Sequence, residues 1–198
     1  MLYMLFSGSG LREGEAFGLE IPHFIGDSLT IKQQLWNGVI GPPKTVAGVR
    51  TVDLAPELAA RLRQFIGTRK SGYVFRTAKG TPLHASNVLR RSLHPILASM
   101  GRGEDWKAGF HAFRRYRVTW LRKQNVPEQL IDYWIGHSTD KTVTDGYSKI
   151  CEDGEFRKLI AARVGTGLPD EIFGKLAIMD PNGPLDVRLS SPAQVLVM

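Results

Sequence analysis

The sequence predicts an α+β fold, mainly helical, with a small antiparallel sheet near the N-terminus. Three observations lead there. From Pro56 onward apolar residues recur at helical spacing, between Leu29 and Leu54 they alternate, and turns rich in glycine and proline separate the segments. A chain of 198 residues, 42% apolar and 23% charged, is long enough for one sizeable hydrophobic core.

The elements follow in order. Met1-Leu-Tyr-Met-Leu-Phe6 runs without a capping residue into Ser7-Gly-Ser-Gly-Leu-Arg12, a helix closed by a glycine turn. Glu13 to Leu19 suits a second short helix. Leu29, Ile31, Gln33 and Leu35 share one face of a strand, and Val49, Thr51 and Asp53 alternate with Arg50, Val52 and Leu54 in another. Gly38 to Pro43 and Ala47-Gly48 supply the turns, with Lys44 on or beside a hairpin. Pro56 opens a helix reaching Phe65, with proline in its first turn. Tyr73-Val-Phe75 reads as a short strand, Lys79-Gly-Thr-Pro82 as a turn, and Ser86 as the cap of a helix running to about Met100.

Gly101 to Gly109 forms a loop. Phe110 to Lys123 is a strong helix anchored by the stripe Phe113, Tyr116 and Trp120, and Pro127 to Ile135 is another, closed by Gly136. A last helix covers Asp153 to Val164. Beyond it Pro169, Gly174, Pro181-Asn-Gly-Pro184 and Pro192 interrupt the chain, so residues 165–198 are expected to form a weakly ordered tail after a domain spanning 1–164.

Composition narrows the function. The apolar stretch Met1 to Phe6 is far too short to span a bilayer and lacks the basic flank of a signal peptide. A single cysteine, Cys151, makes no intrachain disulfide, which fits a reducing cytoplasm. The net charge is +7, but its distribution says more: from Arg61 to Lys123 there are 15 Lys or Arg against two acids, Glu104 and Asp105. The remainder holds 11 basic and 17 acidic residues. Such segregation suits a polyanion, because neutralising phosphates releases condensed counterions. Arg90, Arg91 and Arg115 are the side chains expected to meet DNA phosphates, whereas His23, His84 and His94 stand in no supporting motif and read as ordinary surface or packing residues. A metal-dependent nuclease is disfavoured, since the sequence has no acidic cluster and no His/Cys ligand spacing.

The chemistry-bearing groups are scattered. His111 and Arg114 stand three apart on one helix and share a face, a rigid platform for a phosphate clamp. His137 sits where the chain turns after Ile135-Gly136. Tyr147 follows a polar stretch and is flanked by Gly146 and Ser148. Arg12 follows a Gly-Ser-Gly turn with Glu15 one helical turn on, and Lys44 sits in Pro42-Pro-Lys-Thr45. Taken singly, each reads as an exposed charge or a surface tyrosine.

Taken in order, these pieces resemble the tyrosine recombinase, or phage integrase, family. Ser9-Gly-Leu-Arg-Glu-Gly-Glu15 is similar to the family's first arginine box, and Pro43-Lys-Thr with Arg50-Thr-Val-Asp-Leu54 to its lysine hairpin and the following strand. His111-Ala-Phe-Arg-Arg115 resembles the His-x-Leu-Arg box, with Phe113 for the usual leucine. Ile135-Gly-His137 and Tyr147 resemble the Leu-Gly-His and terminal tyrosine boxes, with one residue more between them than the pattern expects. Arg115 and Tyr116 replace the common His-Thr. The resemblance covers about Met1 to Arg163.

That resemblance implies an integrase-type catalytic domain over 1–164, expected here with its first helix truncated and without the family's N-terminal DNA-clamping domain. It implies cleavage and rejoining of double-stranded DNA through a 3′-phosphotyrosine, with no metal, ATP or other cofactor. Tyr147 is then the nucleophile, Arg12 and Arg114 hold the non-bridging oxygens, and His111 accepts the phenolic proton. His137 donates to the phosphate, Lys44 protonates the leaving 5′-oxygen, and Glu15 orients Arg12 or a histidine. The partners implied are DNA and further copies of the chain, a tetramer in synapsis and a monomer when free, in a bacterial or phage-type nucleoid. Two rivals stay open: a non-catalytic DNA-binding remnant, and a type IB topoisomerase that relaxes DNA without exchange.

Overall fold

The computed structural model describes residues 1–102, 109–137, 149–169 and 171. Its elements are α1 (Leu2–Ser9), α2 (Glu13–Phe17), β1 (Phe24–Ile25), β2 (Ser28–Ile31), β3 (Gln34–Trp36), β4 (Val39–Gly41), β5 (Arg50–Asp53), α3 (Pro56–Ile66), α4 (Ala85–Val88), α5 (His94–Ser99), α6 (His111–Lys123), α7 (Glu128–Ile135) and α8 (Gly154–Val164). The α+β reading holds: helices surround a small antiparallel sheet of order β1-β2-β5, and β3 and β4 form a separate hairpin.

The core lies between α1, α3, α6 and the sheet. Phe6 of α1 stacks on Phe110 at 4.7 Å between ring centroids, Phe17 meets Phe110 edge-on at 5.4 Å, and Phe113 joins through Phe6 and Tyr3. Leu29, Ile31, Val52, Leu54, Leu58 and Leu62 belong to the same buried cluster. Helix α1 packs against α6 and α3, and α7 packs against both α6 and β5. This arrangement brings the C-terminal ends of α1 and α7 to the start of α6.

Several local expectations change. The strand expected through Leu35 breaks at Lys32 and Gln33: β2 pairs with β5, whereas β3 pairs with β4, and Gln33 Nε2 donates to the Gly18 carbonyl at 2.7 Å. Tyr73 to Phe75 makes only an isolated bridge between Glu20 and Tyr73, with Val74 N–H donating to Leu19. Ser86 lies inside α4, whose first residue is Ala85, and a π-helical stretch at Leu89–Leu93 joins α4 to α5 just before Pro95, which has no N–H to donate.

The buried stripe of α6 is Arg114, Arg117 and Leu121. Tyr116 and Trp120, expected as core anchors, cover the chain leaving α8 instead: the Tyr116 hydroxyl donates to the Gly167 carbonyl and Trp120 Nε1 to that of Val164. Arg117 Nη1 donates to the Gly165 carbonyl at 2.7 Å, and burial holds its guanidinium down to about 10. Residues 165–169 thus pack on α6, whereas 170 and 172–198 lie outside the described residues. No described helix is long and apolar enough to cross a membrane.

Candidate active site

Three arginines from distant parts of the chain meet the last three carbonyls of α7 and its cap. Arg50 Nε donates to the Trp134 carbonyl at 2.7 Å, Arg114 Nη2 to that of Ile135 at 2.5 Å, and Arg12 Nη2 to that of Gly136 at 3.0 Å. A helix C-terminus leaves its final carbonyls without intrahelical partners and carries partial negative charge, so guanidinium groups suit it. Arg114 also donates from Nη1 to Gly10 O at 2.9 Å, at the left-handed cap of α1. Two helix ends therefore orient one buried guanidinium.

Gly136 makes this convergence sterically possible. It adopts φ 65° and ψ 46°, and a Cβ there would lie 2.9 Å from Arg50 Cζ and 3.0 Å from the Ala47 carbonyl. The chain can then turn at once and present His137 on the same side as Arg12 and Arg114.

Glu15 ties the cluster together. Its carboxylate accepts from the Arg12 N–H at 2.9 Å and from Arg12 Nη1 at 3.0 Å, and receives both Nη groups of Arg50, at 2.8 and 2.9 Å. Burial alone would raise its pKa, but hydrogen bonds and charge from Arg50, with help from Arg12, hold it below the ordinary carboxylate value. Glu15 was expected beside Arg12 or a histidine, and it bonds Arg12 through both backbone and side chain.

Arg114 is buried and its pKa is lowered to about 10, first by desolvation and then by repulsion from Arg12. It stays charged at neutral pH in surroundings that favour an incoming anion. Each guanidinium has five N–H groups. Among the described residues Arg114 places bonds from Nη1 and Nη2 on two carbonyls, and Arg12 places its side-chain bonds on Glu15 and Gly136. Among the described residues, neither arginine places all of its N–H groups in these bonds.

His137 is exposed, with Nδ1 3.7 Å from Asp132 Oδ1. Desolvation lowers its pKa, followed by Arg114; Asp132 opposes this, and Arg12 and His111 lower it further. His111 is the exposed first residue of α6 and Arg114 sits three residues on, buried. Thus Arg12, His111, Arg114 and His137 gather in one place. Lys44 is exposed between β4 and the short 3₁₀ turn Val46–Gly48, and its segment reaches the cluster through Ala47, whose carbonyl lies against Gly136. Lys44 follows the β3–β4 hairpin rather than sitting on its tip. Tyr147 lies outside the described residues.

Arg90, Arg91 and Arg115 are all exposed, the first two on the π-helical stretch and the third on α6 beside Arg114. Among the described residues no group of three or more His, Cys, Asp or Glu side chains converges.

Arg50 is a member of this cluster that no sequence expectation assigned to it. Its signal was present, because Arg50 shares the inward parity of Val52 and Leu54, and a charge at an apolar register position needs a buried partner. Asp53 and Arg157, joined at 2.8 Å, were likewise unassigned.

Residues 1–152 match the phage integrase family. A tyrosine recombinase XerC-like protein of Caldanaerobacter subterraneus subsp. tengcongensis is 25% identical over 179 residues, covering 75% of this chain and 45% of that protein. A prophage ps2 probable integrase of Lactococcus lactis subsp. lactis is 25% identical over 176 residues, covering 77% of this chain and 45% of that protein. The chain therefore spans less than half the length of these curated relatives. Among solved structures, the Tn1549 transposon integrase in complex with circular intermediate DNA superposes with a TM-score of 0.57 at 23% identity, over 80% of this chain and 58% of that one. The XerA recombinase superposes with a TM-score of 0.52 at 15% identity, over 87% and 54%. At these identities the structural likeness speaks for the fold.

Proposed function

The chain belongs to the phage integrase family, and from that premise we propose that it is a site-specific DNA recombinase catalytic domain that breaks and rejoins strands through a 3′-phosphotyrosine. The observation that supports this best is the convergence of Arg12, Arg114 and His137 at the end of α7. Two guanidiniums of different origin are held there by carbonyls and still have N–H groups to offer.

In this reading a scissile phosphate enters between Arg12 and Arg114, whose planar forks grip its non-bridging oxygens and stabilise the charge of the pentacoordinate transition state. Tyr147 attacks phosphorus. A free phenol ionises near pH ~10, so it needs help at neutral pH. The arginine cluster favours the phenolate, and His111 takes the proton. His137 adds a hydrogen bond to the phosphate. The P–O5′ bond breaks as the tyrosyl bond forms, and Lys44 protonates the leaving oxygen from its exposed segment beside the cluster. Attack by a 5′-hydroxyl from another strand reverses these steps. The phosphodiester bond is exchanged rather than hydrolysed, so the reaction needs no nucleotide hydrolysis.

Arg90, Arg91 and Arg115 supply phosphate contacts along the duplex, and further protomers complete the recombination assembly. Trapping on nicked duplex DNA tests the proposal: wild type should give a covalent adduct that survives denaturation, and Tyr147→Phe none. An adduct persisting in Tyr147→Phe moves the nucleophile elsewhere, and binding without any adduct in wild type favours the non-catalytic remnant. Supercoil relaxation by a monomer, without exchange between two sites, would instead favour topoisomerase action.

A further inference from the structure

We infer that Arg157 is a positioning residue for strand cleavage, fixing the chain where it returns from the tyrosine-bearing segment; the inference rests on Tyr147 as nucleophile. Arg157 lies in the first turn of α8 and is 8% exposed. Its Nε donates to Asp53 Oδ2 at 2.8 Å, its Nη1 to the Cys151 carbonyl at 2.6 Å, and its guanidinium lies over the Tyr133 ring at 5.3 Å. One side chain thereby joins β5, α7 and the stretch just after the tyrosine.

Cys151 stands four positions after Tyr147, and such a length of chain spans at most about 14 Å. An anchor at Cys151 therefore limits where the phenol can be delivered. Both flanks of the segment are referred to α7: the His137 N–H donates to Asp132 O at 3.0 Å, and Cys151 Sγ meets Gln129 O at 3.5 Å.

The same anchor is wired to the phosphate-binding cluster through Trp134. Its indole N–H donates to Asp53 Oδ2 at 3.0 Å, while its backbone carbonyl accepts from Arg50, the partner of Glu15. Asp53 Oδ1 accepts from the Ser28 hydroxyl at 2.7 Å, and the Tyr133 hydroxyl accepts from the Thr51 N–H at 3.2 Å. Asp53 is thus a buried hub with Arg157 as its charge partner. Two features mark a positioning role. The Arg157 fork reaches the tyrosine side, and its link to the arginine cluster passes through a rigid buried ring rather than by contact. A lysine would keep the charge but could not hold Asp53 and Cys151 with the same fork.

The test separates delivery of tyrosine from activation of phosphate, using the full chain and a pool of nicked duplexes with a randomised core. Tyrosine-dependent adduct formation reports both. In Tyr147→Phe, added hydrogen peroxide supplies the nucleophile: a peroxide oxygen bonds to phosphorus, the 5′-oxygen leaves, and cleavage reports phosphate activation alone. Arg157→Met should slow adduct formation by about 10- to 100-fold, the scale of a misplaced reacting group, while peroxide cleavage in the Tyr147→Phe background is unchanged. Arg157→Lys should fall between. Because Arg157→Met strands a buried carboxylate, the pair Arg157→Met with Asp53→Asn removes both charges and should melt cooperatively while showing the same split.

Adduct formation at the wild-type rate in that double variant overturns the inference. So does a parallel fall of both readouts, which would make Arg157 a support for the whole site. If wild type forms no adduct while peroxide cleavage proceeds in Tyr147→Phe, the assignment of Tyr147 fails first and the inference with it.

Discussion

Arg50 closes on Glu15 with two parallel hydrogen bonds, Nη1 to Oε1 at 2.8 Å and Nη2 to Oε2 at 2.9 Å, with each side chain 1% exposed. The same carboxylate receives Arg12 Nη1, so the buried pair is what holds Arg12 in line. Losing one partner leaves an uncompensated charge out of water. Glu15→Gln should therefore destabilise the fold by about 3–5 kcal/mol. Glu15→Gln combined with Arg50→Met should cost less than the sum of the two single changes. Urea unfolding of the four proteins checks this, and strict additivity would contradict it. The sign with pH follows: the Glu15 pKa is lowered in the fold, so its contribution is complete above its unfolded pKa and lost as pH falls through the folded one.

Gly136→Ala should damage both stability and cleavage. The left-handed backbone alone costs an alanine of order 1–3 kcal/mol, and the added Cβ would strike Arg50 Cζ at 2.9 Å. Moving Gly136 displaces the carbonyl that Arg12 uses. Melting temperature and adduct yield should fall together. An alanine variant with wild-type adduct yield would show that the α7 end does not set the Arg12 position.

What the sequence made legible follows from range. The helices α1, α3, α6, α7 and α8 announce themselves through local periodicity, proline and glycine. The split of the strand at Lys32 was not local: Gln33 turns to the Gly18 carbonyl, a long-range bond that no alternation pattern records. The candidate site residues Arg12, Lys44, His111, Arg114 and His137 stood out because each sits in a short motif and the motifs follow in order. Strand parity marked Arg50 as inward but could not name its partner, since Glu15 lies 35 residues away, and nothing local marked Arg157, whose partner Asp53 is 104 residues away. Tyr116 and Trp120 were misassigned for a related reason: helical spacing marks an apolar stripe but says nothing of which element covers it, and the chain after α8 does.

Arg114→Lys should reduce the cleavage rate far more than DNA affinity. A lysine retains a point charge near the phosphate but cannot span the Gly10 and Ile135 carbonyls while also presenting parallel N–H groups. Loss of a preorganised donor to the transition state is expected to cost about 100- to 1,000-fold in rate. Single-turnover cleavage and a binding titration at fixed salt separate the two quantities. Equal losses in both would make Arg114 chiefly a DNA-binding residue.

Phosphate binding should be linked to proton uptake at His137. In the free protein partial desolvation of this largely exposed ring, followed by Arg114, Arg12 and His111, lowers its pKa, so the neutral ring is favoured at pH 7. Its Nδ1 faces the Asp132 carboxylate at 3.7 Å, so an Nδ1–H directed there leaves Nε2 without a proton in the neutral form. Donating to a phosphate from Nε2 then requires the doubly protonated ring, and the anion's charge offsets repulsion from the arginines. The stability sign follows the lowered pKa. The unfolded state binds more protons through that interval, so the favourable contribution of the neutral ring is full above the unfolded value near 6.5 and lost as pH falls. An NMR titration of the His137 ring should show a midpoint below the free-histidine value, moving upward when nicked duplex DNA is bound to the Tyr147→Phe protein. Calorimetry in buffers of different ionisation enthalpy should register the same proton. A midpoint unmoved by DNA would assign the phosphate hydrogen bond to another donor.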